Sequence, residues 1–384
     1  MKKMILVLLL ISLSIYAQSK KVFELHLGGT KNDRAESVQA TNDGGYIVAG
    51  STESFGAGSY DAWLIKLNDK GEKEWEKTYG GIHDEKAYDV KQTSDGGYIL
   101  VGYTETASNG GADIFLVKTD ASGNKSWETK YGGGKNDVGR CVVQTNDGYL
   151  ITGFTQSSGD HYCYVYILKV DLNGVVRWEK TVGGGDDASG NFIDKTKDGG
   201  FVIVGFTKDL SAGLNDIYLI KLDAGGNVSW EKIFGAGDED KGYCVRQTTD
   251  GGYIITGLTR NLGAGYSDLY LCKTDDKGNR IWEKIYGGNN DDAGNSVYQT
   301  PDGGFIASGF TTSTSSFADA YLVKTDYKGN KQWDKTFGGA LDDWCGGMAL
   351  ARDGGYVLCG YSKSFTNGEE DFYIIKTDPD GEVK

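Results

Sequence analysis

DGGYILVGYTETASNGGADIFLVKTDASGNKSWETKYGGGKND, residues 95–137, decides the fold. Asp95-Gly96-Gly97 and Ala121 to Asn124 are turn chemistry, and Val, Ile, Tyr, Thr and Trp dominate what lies between them. Three strands are predicted in this stretch: Tyr98 to Thr104, Asp113 to Asp120 and Lys125 to Tyr131. A fourth, Ala87 to Thr93, precedes Asp95. No sustained apolar stripe of helical period interrupts them.

The stretch recurs along nearly the whole chain. With the aromatic after each DG turn as the mark, the copies stand at Tyr46, Tyr98, Tyr149, Phe201, Tyr253, Phe305 and Tyr356. The steps are 51 or 52 residues throughout. Seven four-stranded units of fixed length predict an all-β, seven-bladed β-propeller. The last unit stops at Lys384, where a fourth strand is due, and Phe23 to Gly29 matches the missing strand position for position against Trp127 to Gly133. The N-terminal strand is therefore predicted to complete the C-terminal blade and close the ring.

Composition sets the surroundings. Of 384 residues, 59 are Gly and 2 are Pro, and the formal charge of −14 disfavours nucleic acid and anionic lipid surfaces as partners. Lys2 and Lys3 precede an apolar run from Met4 to Ile15 and then Tyr16-Ala17-Gln18. That order reads as a signal peptide over residues 1–17, cleaved after Ala17, with 18–384 as one propeller domain. The run is short for a membrane span and no second one follows, so an exported, soluble monomer in the periplasm or outside the cell is expected. Six cysteines in an exported chain permit disulfides. Cys345–Cys359 and Cys141–Cys163 are the pairs to test, against the plainer expectation of small buried residues. With no C-x-x-C and only His26, His83 and His161, a zinc site is not expected.

The string L-x-K-x-D-x-x-G-x-x-x-W carries Trp75, Trp127, Trp178, Trp230, Trp282 and Trp333, with Phe23 in the seventh slot. The Gly four residues before each Trp is expected to let the indole fold back between blades. Full burial of such a ring would remove roughly 150–250 Å² from water. On this string the chain resembles the tryptophan-docking repeat of quinoprotein-type β-propellers, which include pyrroloquinoline-quinone dehydrogenases and non-catalytic outer-membrane assembly scaffolds. It also resembles exported bacterial DGGY-repeat propellers. The chain departs from the dehydrogenases in having seven units, lysines such as Lys118 and Lys273 at an alanine position, and no adjacent cysteines. The resemblance implies docked tryptophans; it does not carry over a quinone site.

Two acidic positions recur. One opens the third strand (Asp61, Asp113, Asp216, Asp268, Asp319, Asp371, with Tyr164 as the exception), and one follows the YGG turn (Asp33, Asp84, Asp137, Asp187, Asp240, Asp292, Asp343). Both fall on one face of a propeller. They cap turns, hold calcium (Asp84, Asp137, Asp240 and Asp292 being the candidates) or supply a glycosidase pair. Thirteen near-equivalent copies favour the turn-capping role. No cofactor is otherwise expected.

Specificity is expected where the units differ. The loop between second and third strands varies most and offers Phe55, Tyr60, Tyr162, Tyr266, Phe317 and Phe365, and Trp344 stands alone after Asp343. Aromatics among Ser, Asn and Gly suit a glycan or a secreted or cell-surface protein. No G-x-S-x-G or P-loop is present. The sequence therefore points to a non-catalytic binding or scaffold propeller; a carbohydrate-active or quinone-dependent enzyme with its site at the channel mouth is the alternative.

Overall fold

The DG and D-x-x-G turns set the strand boundaries. In the computed structural model the described residues are 21–383, except 107, 109, 160, 161, 184, 185, 209–213, 236, 367 and 368. They form 28 strands and no helix. The strands pair into seven four-stranded antiparallel sheets, a seven-bladed β-propeller. The signal peptide expected over residues 1–17 lies outside the described residues.

Blade 2 shows the pattern. Its strands, from the channel outward, are Glu85–Gln92, Tyr98–Thr104, Asp113–Thr119 and Lys125–Tyr131. The third ends one residue earlier than the sequence suggested, because Asp120 belongs to the turn: its Oδ1 accepts from the amides of Ser122 (2.9 Å) and Asn124 (2.8 Å). The inner strand starts two residues earlier than expected, at Glu85. The other inner strands begin at Asp33, Asp137, Ala188, Asp240, Asp292 and Asp343, which start blades 1, 3, 4, 5, 6 and 7.

Second and third strands are buried on both faces, which is why they read as nearly unbroken apolar runs. Tyr98 and Leu100 pack with Ala49 and Leu64 of blade 1, while Ile99 and Val101 pack with Val142 and Tyr149 of blade 3. The core is thus a series of wedges between neighbouring blades. Blade 7 is finished by Phe23–Leu27, antiparallel to Asp371–Lys376, with Phe23 opposite Lys376 and Leu27 opposite Phe372. Closure by the N-terminal strand is what the sequence predicted.

The lysine of L-x-K is buried in every blade, and a buried charge needs a partner. Lys118 Nζ reaches Asp95 of the DGG turn at 2.9 Å and the Thr119 carbonyl at 2.7 Å. Lys273–Asp250 (3.0 Å) and Lys376–Asp353 (2.9 Å) repeat the arrangement. The aspartates feel it: burial opposes ionisation, but hydrogen bonds from Thr93, Lys118 and the Gly97 amide bring Asp95 down to about 2.

The repeat tryptophans differ from expectation in partner and in depth. Each rests on the turn glycine of the next blade rather than folding over its own. A Cβ on Gly123 would fall 2.6 Å from Trp75 Cζ3, and one on Gly278 2.6 Å from Trp230 Cζ3. The indoles lie on the outer strands and stay half-buried, so the hydrophobic gain is smaller than full burial would give. Trp127, Trp178, Trp282 and Trp333 sit the same way against Gly174, Gly226, Gly329 and Gly381. Tyrosines at the end of outer strands tighten the joint: the hydroxyls of Tyr79 and Tyr131 donate to the carbonyls of Gly123 and Gly174, both at 2.6 Å.

Candidate functional site

Every inner strand carries one extra residue. The register against the second strand slips between Ala35 and Ser37, Ala87 and Asp89, Gly139 and Cys141, and at the matching place in the other four blades. A glycine opposite makes the bulge affordable in space: a Cβ on Gly102 would collide with the Lys86 carbonyl, and Gly50, Gly153, Gly205, Gly257, Gly309 and Gly360 repeat the contact. The bulged residues are Glu36, Tyr88, Arg140, Asn191, Tyr243, Asn295 and Gly346, and all seven line one central cavity of about 950 Å³. The ring is chemically uneven. Arg140 lies over the Tyr88 ring at 4.4 Å, and Asn191 and Asn295 donate to the carbonyls of Gly242 (2.9 Å) and Cys345 (2.7 Å) in the next blade. Gly346 brings no side chain, and Glu36 lies close beside it: a Cβ there would fall 3.4 Å from Glu36 Oε2. Protein around Glu36 pushes its carboxyl up, against the pull of Arg140, Arg34 and Lys86. Burial raises the Tyr243 hydroxyl to about 12.

Along blades 4 to 7 the cavity lining extends to Phe206, Lys241, Leu258, Arg260, Phe310, Trp344 and Tyr361, near the ends of the inner and second strands. Trp344 stacks on Phe310 (ring centroids 3.7 Å apart, 21° between planes) and lies parallel to Tyr361 across the strand pair (6.2 Å, 5°). Arg34 covers the other side of Tyr361 at 4.8 Å and pairs with Glu370. The result is a row of flat faces ending in a cation.

Of the seven aromatics singled out by sequence, the cavity wall holds Trp344 alone. Phe55 packs on Trp63 (5.2 Å), and Phe365 on His26 (4.8 Å), toward the outer side of the rim. Tyr60 lies under the Lys86 ammonium at 3.8 Å. Tyr162, Tyr266 and Phe317 are exposed loop-tip residues, Tyr266 most of all at 77%. The blade 4 loop, 208–215, and His161 lie largely or wholly outside the described residues. Sequence reasoning missed the bulge ring and the residue inside G-x-[TS], which lines the cavity as Phe206, Leu258, Phe310 and Tyr361 and is Ser51, Tyr103 and Phe154 in blades 1 to 3. The signal was there: within otherwise repetitive units these two positions change type from blade to blade.

The acidic positions need one correction of register. Thr104 is paired with Glu85, and Thr207 with Ala188, so the residues equivalent to Asp33, Asp137, Asp240, Asp292 and Asp343 are Glu85 and Ala188, not Asp84 and Asp187. Asp84 and Asp187 instead accept from the amides of Tyr60 (3.3 Å) and Cys163 (3.1 Å) in the preceding loop. The residues that match Trp344 in blades 2 and 4 are accordingly Lys86 and Ser189. Asp137 and Asp292 accept turn amides and loop hydroxyls: Gly133 and Ser157 at 2.7 Å, Gly288 and Ser313 at 2.8 Å; Asp240 receives Asn261 at 3.3 Å. Among the described residues, no three His, Cys, Asp or Glu side chains converge as a metal site.

All six cysteines are unbridged. Cys345 packs toward blade 6 and Cys359 toward blade 1, so the pair proposed from sequence lies on opposite faces of blade 7 and forms no bridge. Cys141 is buried against Asp89 in the inner strand, while Cys163 sits at the rim and accepts from Gln156.

No family model matches the chain. It is 22% identical to the regulatory protein FlaEY of Caulobacter vibrioides over 94% of its own length and spans 40% of that protein. Among solved structures it is similar to the WD40 domain of Pan2 from Neurospora crassa (TM-score 0.57, 11% identity, 93% of this chain and 96% of that one). It is also similar to Sqt1 of Chaetomium thermophilum bound to the N-terminus of the ribosomal protein L10 (TM-score 0.52, 9% identity, 92% and 98%). At such identities likeness speaks for architecture, and the architecture held in common is the β-propeller.

Proposed function

We propose that the chain is an exported, non-catalytic binding propeller that receives a segment of a partner protein at the channel mouth between blades 4 and 7. The observation that carries this is the convergence of the non-repeating inward residues on one cavity: the uneven bulge ring below and the Phe310–Trp344–Tyr361–Arg34 row above. Such a mouth offers flat apolar faces for side chains and scattered polar groups for a peptide backbone. One of the similar propellers, Sqt1, is described in complex with the N-terminus of another protein, which lends support by analogy. Export rests on the leader-like residues 1–17.

The test is selection of peptides against the mature protein from a random display library, with a glycan array in parallel. Bound peptides should lose affinity at least tenfold on Trp344→Ala and on Arg140→Ala, and should be indifferent to Tyr266→Ala. Binding abolished by Tyr266→Ala or Phe317→Ala but untouched at the channel would move the site to the outer loops. Glycans bound in place of peptides would replace the partner class.

A further inference from the structure

Six of the seven blade junctions bury two carboxyl groups side by side. The pairs are Asp371–Asp33, Asp61–Glu85, Asp113–Asp137, Asp216–Asp240, Asp268–Asp292 and Asp319–Asp343, and each flanks the first glycine of the YGG turn. A Cβ on Gly338 would fall 2.7 Å from Asp343 Oδ2 and closer still to Asp319 Oδ1; one on Gly28 would meet Asp33 Oδ2 at 2.7 Å and Asp371 Oδ1 closer. The glycine is therefore the spacer that lets two acids share one place. The seventh junction is a natural control. Where blade 3 has Tyr164 for the first acid, blade 4 has Ala188 for the second, and both acids are gone together. Their joint loss marks the acids as partners rather than as independent turn caps.

Two ionised carboxylates at this spacing, shielded from water, repel strongly. Something positive must sit between them. A divalent cation of the calcium kind wants six to eight oxygens, and these pairs offer few. Backbone amides already occupy part of several of these carboxylates: Ala57 and Gly58 donate to Asp61 at 2.9 Å, and Gly339 donates to Asp343 at 2.6 Å. Asp371 Oδ1, facing Asp33 across Gly28, is buried with no hydrogen-bond partner, and Asp137, Asp292 and Asp343 each leave Oδ1 in the same condition. A hydrogen on one carboxyl gives such a group a donor and removes one of the two charges.

We propose that each acid pair holds one proton shared between its two carboxyls, so that the ring carries buried protons at six junctions and sheds them as the pH rises. Burial, and then the neighbouring acid, push Asp61, Asp268 and Asp371 up; for Asp319 burial leads, with Asp343 adding to it. The other titratable groups bearing on the pairs are Asp291 at Asp268, Tyr321 at Asp292, Tyr166 at Asp137, and His26 and Tyr373 at Asp343. Arg34 and Glu370, next in sequence to Asp33 and Asp371, pair with each other. A carboxyl raised in the folded state stabilises the fold fully below its unfolded value, near 4, and the benefit is lost as pH climbs through the folded value.

The experiment is calorimetry of the mature protein from about pH 4.5 to 7, with chelator and with added calcium, on the natural chain and on Asp371→Asn and Asp319→Asn. Asparagine keeps the shape, donates to the partner carboxylate and needs no proton. Each variant should flatten the fall of Tm with pH and raise Tm near pH 7 by roughly 1–3 °C. Infrared spectra of the natural protein at about pH 6 should show a carboxylic-acid carbonyl band that vanishes on unfolding, a readout that does not depend on any variant folding. No such band, with asparagine variants less stable at every pH, would overturn the proposal. A calcium-dependent rise in Tm that the same variants abolish would overturn it in favour of a cation. Neither result touches the channel mouth, so the partner-binding proposal stands or falls separately.

Discussion

The ring of Phe23 lies against Gly71: a Cβ there would fall 2.8 Å from Phe23 Cγ. Residue 23 belongs to the strand that completes blade 7, and residue 71 to the last turn of blade 1. This is the contact that Trp75 makes with Gly123 one blade on, so the seam of the ring is joined by the same device as its other junctions. Tyr373 adds a bond across the seam strand, its hydroxyl donating to Glu24 at 2.5 Å.

Deleting residues 18–30 should therefore lower Tm by well over ten degrees or abolish cooperative unfolding, measured by calorimetry. It removes five strand pairings, the Phe23 contact and the carboxyl of Glu24 at once. A melting curve that did not move would show that the ring does not depend on its seam.

The tryptophan–glycine joint predicts non-additivity. Gly123→Ala forces a methyl against Trp75 and places alanine at φ 75°, a left-handed conformation that costs about 1 kcal/mol by itself. Trp75→Ala alone should cost about 2–3 kcal/mol, less than for a fully buried indole. The double variant should be more stable than the two losses added together, because the clash disappears with the indole. Urea unfolding of the four proteins measures the coupling.

The buried lysine ends predict behaviour in acid. Asp43, Asp95 and Asp302 come down to about 2 because hydrogen bonds from threonine and lysine overcome burial, and in Asp198 the Thr196 bond leads. A lowered folded value means that these aspartates stabilise the fold above about pH 4 and cease to as pH falls toward 2. Lys118→Met with Asp95→Asn should remove part of that acid sensitivity while leaving Tm near pH 7 little changed, by calorimetry across that window.

Thiol reactivity should separate the cysteines. In native protein, without reductant, Cys163 should react with a thiol reagent and the five buried thiols should not. In denaturant all six should react. Fewer than six after denaturation would reveal a disulfide in the folded protein.

Much of this architecture was legible because its turns are chemically explicit. DG turns and D-x-x-G turns bracket the second and fourth strands of blade 2 so tightly that Tyr98–Thr104 and Lys125–Tyr131 fall where the sequence put them. The inner strand was harder. Alignment on aspartate alone slid Asp84 and Asp187 into places held by Glu85 and Ala188, and only the pairing with Thr104 and Thr207 corrects it. A strict two-residue alternation also hides a bulge, so Glu36, Arg140 and their counterparts read as ordinary strand residues rather than as the lining of a channel. Phe55 and Phe365 drew attention as loop aromatics. Their rings are spent on Trp63 and His26, contacts that no local pattern announces.

The split blade has a consequence in time. Phe23–Leu27 pairs with Asp371–Lys376, which is synthesised about 350 residues later. Joining ends some 350 residues apart costs roughly 5 kcal/mol of chain entropy. Until that closure both partner strands show unpaired edges, open to strands of other chains. Synthesis from the N-terminus thus prolongs the interval of greatest exposure. Conditions that slow release of the last blade should yield aggregated or strand-swapped product sooner than any substitution in the middle blades.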